Sequence, residues 1–284
     1  VFSLTPTPPA NAFVSAADHD KPQQVFPLDV FFCEECHHVQ LLDVVDPAHL
    51  FENYVYVSGI SPVFVTHFKD YAESVSKAYL RSDPQGLIVD IGSNDGTLLS
   101  HFKSLGHRVL GIDPAQEIAR NATAKGIETL PEFFSAALAA NIRKTHGEAS
   151  VICANNVFAH ADDLADITRG VREFLHPNGV FVFEVSYLVD VFEKTLFDTI
   201  YHEHLAYHSV KPLKKFFANH GMDLISAERV ESHGGSVRCV VQVAGGPHAT
   251  ATSVDERIAH ELTLGLDKAE TMRGFADKID TVKR

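Results

Sequence analysis

One short segment of the chain concentrates side chains that can move protons. The segment TIYHEHLAYHS holds six of them within eight positions: Tyr201, His202, Glu203, His204, Tyr207 and His208. A neutral imidazole can remove a proton near pH 7, and a neighbouring carboxylate can fix its tautomer or raise its basicity. A tyrosine hydroxyl can donate to a developing enolate oxygen. Because the chain carries 17 histidines, a polar surface loop is the alternative interpretation of this segment taken alone.

A second segment, VDIGSNDGTLL, has the form of a ligand-binding turn between a strand and a helix. Gly92 ends the strand and Gly96 precedes the helix, with Asn94 between them, so the backbone can approach a ligand closely. The loop departs from the G-x-G-x-x-G pattern of dinucleotide sites, because Asp90 stands at its entrance and Asp95 within it. Two carboxylates repel a pyrophosphate and favour a sulfonium cation with an amino-acid head group. We therefore expect the loop to bind S-adenosylmethionine rather than NAD.

Residues at the ends of later strands support this interpretation. Asp113, in LGIDPA, follows Gly92 by 21 residues, which is the spacing at which a carboxylate reaches a ribose diol. Asn155 and Asn156 end the strand in ASVICANNVF and are placed to line the methyl-donor side of the site. The alternative is a tight turn in which Asp113 only caps a helix. The agreement of loop, acid spacing and strand order favours a cofactor site.

Alternating strands and helices must position these residues. Apolar strands are predicted in GLIVDIG, HRVLGIDP, ASVICANNVF and GVFVFEVSY, with helical segments between them. This alternation predicts a parallel sheet with helices on both faces. The pair MDLISAERV and GSVRCVVQVAGG predicts an antiparallel hairpin that closes the sheet. The predicted fold class is therefore α/β, with a Rossmann-like class I methyltransferase domain.

The region before this sheet has a different organisation. Residues 1–24 are rich in Pro and Ala and predict an extended arm. The segment FPLDVFFCEECHHVQLLDVV places a C-x-x-C knuckle, Cys33 and Cys36, between two apolar strands and predicts a small β-ribbon. Apolar residues at helical spacing predict an amphipathic helix over 63–80. We expect an N-terminal arm and knuckle module over 1–62, a cofactor-binding domain over 63–247 and the start of a C-terminal helical region over 248–284.

Composition narrows the class of partners. The formal net charge of −13 does not attract phosphate backbones, so nucleic acid is not an expected partner.

The sequence has no apolar run of about 18 residues and no secretory leader, and we expect a cytoplasmic protein that does not enter the membrane. Cys153 and Cys239 lie in apolar strands and are expected to be reduced core residues. We further expect a monomer. Both ends of the chain look cut, and we expect a fragment of a longer protein.

Several segments together resemble the nucleotide-sugar C-methyltransferases of deoxysugar pathways. The matching segments are TPPANAF, PLDVFFCEECHHVQL, FENYVYVSGIS, VDIGSNDGTLL, LGIDPA, ANNVFAHADDL, YHEHLAYHS and GGSVRCVV, in the family's order over nearly the whole chain. The resemblance implies an N-terminal zinc-binding module, a central methyl-donor domain and a C-terminal domain that helps to grip the nucleotide. It also implies methylation of a nucleotide-linked 4-keto-6-deoxysugar, at carbon 3 and through an enolate.

The same resemblance implies roles for individual residues. His204 matches the base that removes the proton next to the sugar ketone, and Glu203 and Tyr201 match its neighbours in the active site. His160, in ANNVFAH, matches a histidine at the edge of that pocket. Tyr56, in YVYVSG, matches an aromatic residue that closes over the cofactor.

The chain departs from the family's pattern in its zinc ligands. The family uses two C-x-x-C pairs, and this sequence has only Cys33 and Cys36. The other pair would lie before Val1. Structural zinc prefers four ligands, so two cysteines alone should bind it poorly. His37 and His38 could complete the site only with distortion of the backbone.

Two alternatives to carbon methylation follow from the same residues. An O- or N-methyltransferase of another small metabolite would use the cofactor loop without forming an enolate. A catalytically incomplete fragment would bind S-adenosylmethionine without transferring its methyl group. Exchange of the sugar's carbon 3 hydrogen with solvent separates carbon methylation from these two alternatives, because only carbon methylation forms the enolate.

Overall fold

The computed structural model describes residues 1–52 and 57–283, which form two β-sheets and ten α-helices. The strands are β1 (Phe2–Thr7), β2 (Phe26–Phe32), β3 (Val39–Leu41), β4 (Leu87–Ile91), β5 (Arg108–Ile112), β6 (Thr129–Leu130), β7 (Ala149–Asn155), β8 (Leu175–Ser186), β9 (Ala206–Tyr207), β10 (Met222–Val230) and β11 (Ser236–Val243). The helices are α1 (Pro47–Phe51), α2 (Pro62–Tyr79), α3 (Thr97–Ser104), α4 (Gln116–Ala124), α5 (Ala136–His146), α6 (Leu164–Phe174), α7 (Leu188–Lys194), α8 (Val210–Asn219), α9 (Ser253–Thr263) and α10 (Ala269–Val282).

The larger sheet has seven strands in the order β10-β11-β8-β7-β4-β5-β6. Strands β8, β7, β4, β5 and β6 pair in parallel, whereas β11 pairs antiparallel with both β8 and β10. Parallel strands need crossover helices, and α3 to α6 supply them between β4 and β8. The predicted α/β fold and the closing hairpin are confirmed.

The sheet is buried on both faces, as its continuous apolar strands require. On one face, Phe158, Phe181, Phe183 and Phe217 form a cluster with ring centroids 5.0 to 6.4 Å apart. On the other face, α2 and α3 cover the sheet with a second apolar cluster that includes Tyr71. No helix in the described ranges is long and apolar enough to cross a membrane.

The smaller sheet contains the predicted N-terminal ribbon and two further strands. Strands β2 and β3 pair antiparallel, and the full order is β1-β2-β3-β9. Strand β9 belongs to the TIYHEHLAYHS segment: Tyr207 pairs with Val39 and Ala206 with Gln40. The His-rich segment is therefore hydrogen-bonded to the N-terminal part of the chain.

The prediction of an extended arm over residues 1–24 is wrong for its first part. Phe2 to Thr7 form β1, which pairs antiparallel with β2 at the edge of the smaller sheet. An edge strand tolerates Pro6, because a proline only removes a hydrogen-bond donor that the edge does not need. Residues 8–25 have no regular secondary structure.

Helix α2 confirms the predicted amphipathic helix and is fastened to the sheet by a buried ion-pair cluster. Glu184, at 2% exposure, accepts from the Arg238 guanidinium at 2.5 Å and from His67 Nε2 at 2.7 Å. Burial raises the pKa of this carboxyl, but the hydrogen bonds and charges of His67 and Arg238 outweigh burial and hold its pKa below the ordinary value. The cluster joins the first half of α2 to β8.

The C-terminal helices pack on both sheets. Glu261 of α9 lies beneath the start of α8, where its carboxylate accepts from the amides of Val210 at 2.6 Å and Lys211 at 3.0 Å and from the Tyr187 hydroxyl at 2.8 Å. It thereby caps a helix that has no side-chain cap of its own. In α10, Phe275 meets Phe2 of β1 edge to face, with ring centroids 6.0 Å apart.

Candidate active site

A cavity of about 930 Å³ opens at the carboxyl ends of the parallel strands. Such a position is where open α/β sheets bind ligands, because the loops that follow the strands converge there. The cavity receives residues from the cofactor loop, from the ends of β5 and β7, and from the His-rich segment. Of the predicted site residues, it is lined by Asp90, Gly92, Asn94, Asp113, Asn155, His160, Tyr201 and His204.

The cofactor loop needs glycine at its first turn. Gly92 has φ +69°, and a Cβ there would lie 2.3 Å from Val157 Cγ2. Gly96, which is not among the lining residues, adopts φ +78° and immediately precedes α3. Asn94 between them is also left-handed, with φ +51°. A non-glycine residue in this conformation is a strained element of the kind that occurs at binding sites.

Asp113 holds the loop in place from the end of β5. Its carboxylate accepts from the amide of Asn94 at 2.8 Å and from the amide of Ala115 at 2.9 Å. Burial raises the pKa of this carboxyl, which these two hydrogen bonds partly offset. The carboxylate caps these amides, and each of its oxygens can still accept a second hydrogen bond from the cavity side.

Two further side chains present polar atoms that lack partners among the described residues. Asp90 is 4% exposed, and its Oδ1 has no hydrogen-bond partner there. The amide oxygen and nitrogen of Asn155 are likewise buried without partners in that part of the chain. Buried polar atoms of this kind are costly unless a ligand or water satisfies them. Together with Asp113 they fit the amino-acid and ribose groups of S-adenosylmethionine.

The charge of the cavity also fits a cation. The described lining residues include Asp113, Asp162 and Asp163, and the described part of the lining contains no Lys or Arg. A pyrophosphate would meet carboxylates in this cleft, whereas a sulfonium and an ammonium group would be attracted. Acidic side chains, which the sequence predicts for the cofactor loop, are therefore also present in the surrounding walls of the cavity.

Asp90 should make cofactor affinity depend on pH. Burial and the charge of Asp113 raise its pKa to about 8, so the carboxyl is mostly protonated at pH 7. A cationic ligand favours the ionised form, and we expect affinity for S-adenosylmethionine to rise as pH increases through 8 and then to level off. Calorimetry in buffers of different ionisation enthalpy should show proton release below pH 8. In Asp90→Asn the pH dependence should disappear; a profile identical to wild type would contradict this assignment.

The segment that precedes α2 closes against the cofactor loop. The amide of Ser58 donates to Asn94 Oδ1 at 2.9 Å, and the amide of Gly59 donates to Asp95 Oδ2 at 3.2 Å. Ser58 also lines the cavity, together with Phe64 and Phe68 of α2. Sequence reasoning did not identify these residues, since only the fold brings them to the loop. Tyr56, which was predicted to cover the cofactor, lies outside the described residues.

His204 is held as a neutral base. Its Nδ1 lies 2.7 Å from the carbonyl oxygen of Thr199, which can only accept, so Nδ1 carries the proton. The lone pair of Nε2 is then left to accept from the Tyr201 hydroxyl at 3.1 Å. Burial lowers the pKa of His204, the Thr199 hydrogen bond raises it in part, and nearby His233 lowers it further. The imidazole is thus uncharged near pH 7 and able to take a proton.

His160 and Tyr201 surround this base. The rings of His160 and His204 meet edge to face, with centroids 4.9 Å apart. Burial, together with the proximity of His204 and His233, lowers the pKa of His160 well below its ordinary value. Burial and the charge of Glu203 raise the pKa of Tyr201 to about 12, so its phenol stays protonated and can donate a hydrogen bond. His233 lines the same cavity and was not predicted from the sequence.

Glu203 takes a different position from the one expected. The tautomer of His204 is set by the Thr199 carbonyl, whereas the Glu203 carboxylate accepts from Asn11 Nδ2 at 2.6 Å. Glu203 lines a second cavity of about 610 Å³ beneath the N-terminal arm. Asn11 lies in TPPANAF, one of the segments that carried the family resemblance, but no chemistry had been derived for it.

Cys33 and Cys36 are the two zinc ligands that the sequence predicts. Hydrogen bonds from the backbone amides of Cys36 and Glu35 lower the pKa of the Cys33 thiol, whereas burial raises that of Cys36. His38 is half-buried against His208, with ring centroids 5.5 Å apart, and its partial burial lowers its pKa to about 4. Within residues 1–52 and 57–283, no three His, Cys, Asp or Glu side chains are grouped to hold a metal ion. The described residues do not complete a zinc site.

Zinc content tests this conclusion directly. The 284-residue chain should retain clearly less than one equivalent of zinc after dialysis against a weak chelator, because two thiolates supply half of a tetrahedral ligand set. Elemental analysis measures it, and Cys33→Ser should change the value little. Stoichiometric zinc that is lost in His37→Ala or His38→Ala would contradict the prediction and assign those histidines as ligands.

Comparisons with known proteins agree with this geometry. Residues 65–227 match the family described as "Methyltransferase domain", residues 1–51 match "Putative zinc binding domain", and residues 231–284 match "C-methyltransferase C-terminal domain". The whole chain is similar to the C-methyltransferase NovU of Streptomyces niveus, at 34% identity over 283 residues, and spans 67% of that protein.

Solved structures share the fold. A protein from Pyrococcus horikoshii superimposes with a TM-score of 0.51 at 14% identity, over 69% of this chain and 97% of the other. The plantazolicin methyltransferase BpumL in complex with SAH gives a TM-score of 0.50 at 15% identity, over 63% of this chain and 84% of the other. Similarity at this level of identity establishes the architecture of the larger sheet.

Proposed function

This chain belongs to the S-adenosylmethionine-dependent C-methyltransferases, and on that basis we propose that it methylates carbon 3 of a nucleotide-linked 4-keto-6-deoxysugar. Carbon methylation requires a carbon nucleophile. A 4-keto sugar provides one, because loss of the proton at carbon 3 leaves an enolate.

The observation that supports this proposal is the state of His204. Its Nδ1–H donates to the Thr199 carbonyl, so the basic Nε2 is presented beside the Tyr201 hydroxyl in the cavity that contains the cofactor loop. A lowered pKa keeps the imidazole in its basic form at neutral pH. A base adjacent to a hydrogen-bond donor is the pair that enolate formation needs. Methylation of oxygen or nitrogen would not need this pair.

The proposed reaction has two steps. His204 Nε2 removes the carbon 3 proton, and the electrons of that C–H bond move into the enolate, whose oxygen accepts hydrogen bonds from Tyr201 or His160. When bound, S-adenosylmethionine would supply a methyl group on a positively charged sulfur. The enolate carbon bonds to that methyl group, and the C–S bond breaks to leave S-adenosylhomocysteine. The walls of the cavity must hold the two reacting carbons within about 3–3.5 Å of each other. The imidazolium then returns its proton to solvent.

The same observations limit the partners. The net charge of −13 and the lack of Lys and Arg among the described lining residues disfavour nucleic acid and favour a substrate whose phosphates lie away from these walls. We propose a small-molecule acceptor, bound by a monomer in the cytoplasm. Buried, unpaired Cys153 and Cys239 are compatible with a reducing compartment.

Hydrogen exchange in heavy water tests the proposed function. The protein is incubated with S-adenosylhomocysteine and a 4-keto-6-deoxy nucleotide sugar, and deuterium at carbon 3 is followed by NMR. We expect deuterium to enter at carbon 3 without methyl transfer, because the enolate forms and is reprotonated. A protein that binds S-adenosylhomocysteine and the sugar but exchanges no hydrogen would contradict the proposal and favour O- or N-methylation or a non-catalytic binding role.

A further inference from the structure

The N-terminal arm contacts the His-rich segment through the buried carboxylate of Glu203. Asn11 Nδ2 donates to Glu203 Oε1 at 2.6 Å, across a separation of 192 residues in sequence. Glu203 is only 1% exposed, whereas Asn11 lies at the surface of the arm. An amide that donates to a carboxylate makes a charge-assisted hydrogen bond, which orients the acid and favours its ionised form.

This contact lies where the two cavities meet. Asn11 and Asp46 line both cavities, and Glu203 lines the second. The other walls of the second cavity are largely apolar, with Phe13, Phe26 and Leu50 among them. Neither cavity has a Lys or Arg among its described lining residues, and Asn11 is a neutral donor to Glu203.

The charge of Glu203 affects the Tyr201 phenol, which hydrogen-bonds His204. Its charge contributes to the raised pKa of the Tyr201 phenol, and that phenol donates to His204 Nε2 at 3.1 Å. Movement of the Glu203 carboxylate would change the field at the hydroxyl that faces the base. Hydrogen bonds thus join Asn11 to Glu203 and Tyr201 to His204, and the charge of Glu203 connects the two pairs.

We propose that Asn11 is a positioning residue of the active site, which fixes the Glu203 carboxylate beside Tyr201 and His204. The segment that matches a zinc-binding domain thereby contributes directly to catalysis. The inference that Asn11 serves this reaction rests on the proposed function, whereas the predicted effect of Asn11 on Glu203 does not.

Contacts that do not involve Asn11 also hold the His-rich segment in place. His202 Nε2 donates to the Phe26 carbonyl at 3.2 Å, the amide of Leu41 donates to the Leu205 carbonyl at 2.9 Å, and β9 pairs with β3. Removal of the Asn11 side chain should therefore leave the backbone of the segment in place. A loss of activity in such a variant would then report on Glu203 and not on unfolding.

A titration of Glu203 tests the proposal without any acceptor. In Asn11→Leu, a side chain of similar size without a donor, the carboxyl carbon of Glu203 should titrate at higher pH than in wild type. Protein labelled with ¹³C-glutamate provides the signal, and Glu203→Gln assigns it. Ser15→Ala is the matched control, because Ser15 hydrogen-bonds Asp18 within the arm and lines neither cavity. An unchanged Glu203 titration in Asn11→Leu would overturn the proposal.

The pH profile of carbon 3 exchange provides the second readout. The acidic limb of the Asn11→Leu profile should move to higher pH, and the rate at pH 7 should fall about tenfold, with unchanged affinity for S-adenosylhomocysteine. Asn11→Gln, which keeps the amide donor, should recover part of the rate. A uniform loss of rate with no displacement of the limb would show a purely structural contact. If wild type exchanges nothing, the proposed function fails while the carboxyl titration still decides the role of Asn11.

Discussion

Replacement of His204 with asparagine should lower the rate of carbon 3 exchange by about 10²–10⁴-fold, the usual cost of removing a general base. Asparagine keeps a similar size and can still donate to the Thr199 carbonyl, but it cannot take a proton near pH 7. Affinity for S-adenosylhomocysteine should hardly change, because the proposed function assigns His204 to the acceptor and not to the cofactor. Deuterium incorporation measures the first effect, and calorimetry the second.

The His204 prediction has a matched control and a clear counter-result. His176→Asn makes the same change at an exposed position outside the cavity and should exchange at the wild-type rate. If His204→Asn also exchanges at that rate, the base lies elsewhere. His160 is then the next residue to replace, because its ring contacts His204 and lines the same cavity.

Replacement of Asp113 with alanine should weaken S-adenosylhomocysteine binding by about 10- to 150-fold, which corresponds to about 1.5–3 kcal/mol for hydrogen bonds to a charged group. The carboxylate supports the cofactor loop through the amides of Asn94 and Ala115 and faces the cavity where a ribose diol would bind. Alanine removes both functions. Calorimetry with S-adenosylhomocysteine, and in parallel with NAD, measures the result.

Asp113→Asn separates the two contributions. Asparagine can still accept one hydrogen bond from the loop but lacks the charge and the second acceptor oxygen, so its loss of affinity should be smaller than that of alanine. Glu117→Ala, an exposed acidic residue at the start of α4, controls for the change in net charge. Wild-type affinity in Asp113→Ala, or tight binding of NAD to the wild-type chain, would show that the loop has another ligand.

The parts of the site that local sequence predicted are those that one strand and its following turn determine. The apolar run of β4, the glycine at its end and the carboxylate of Asp113 lie in short continuous segments. A buried parallel strand has to be apolar, and a sharp turn into a helix needs a left-handed residue such as Gly92. These constraints act over a few residues and can be read from them.

The parts that local sequence did not predict depend on contacts between distant segments. Glu203 lies next to His204 in sequence, which suggested that it orients the imidazole, yet its carboxylate is bound by Asn11 from the other end of the chain. The first strand, β1, contains Pro6 and is followed by two more prolines, and it looked irregular until its pairing partner β2 was known. Glu261 had no predicted role, because the helix that it caps begins 51 residues earlier.

The pairing of β9 with β3 has a consequence for motion around the site. Opening the His-rich segment would break strand hydrogen bonds to the N-terminal sheet, and local opening of this kind costs more free energy than the movement of a surface loop. The segment therefore behaves as a fixed wall and not as a lid. Engineering of acceptor selectivity by transplanting this segment alone would remove it from the strand that shapes it, so β3 and the arm would have to be transferred with it.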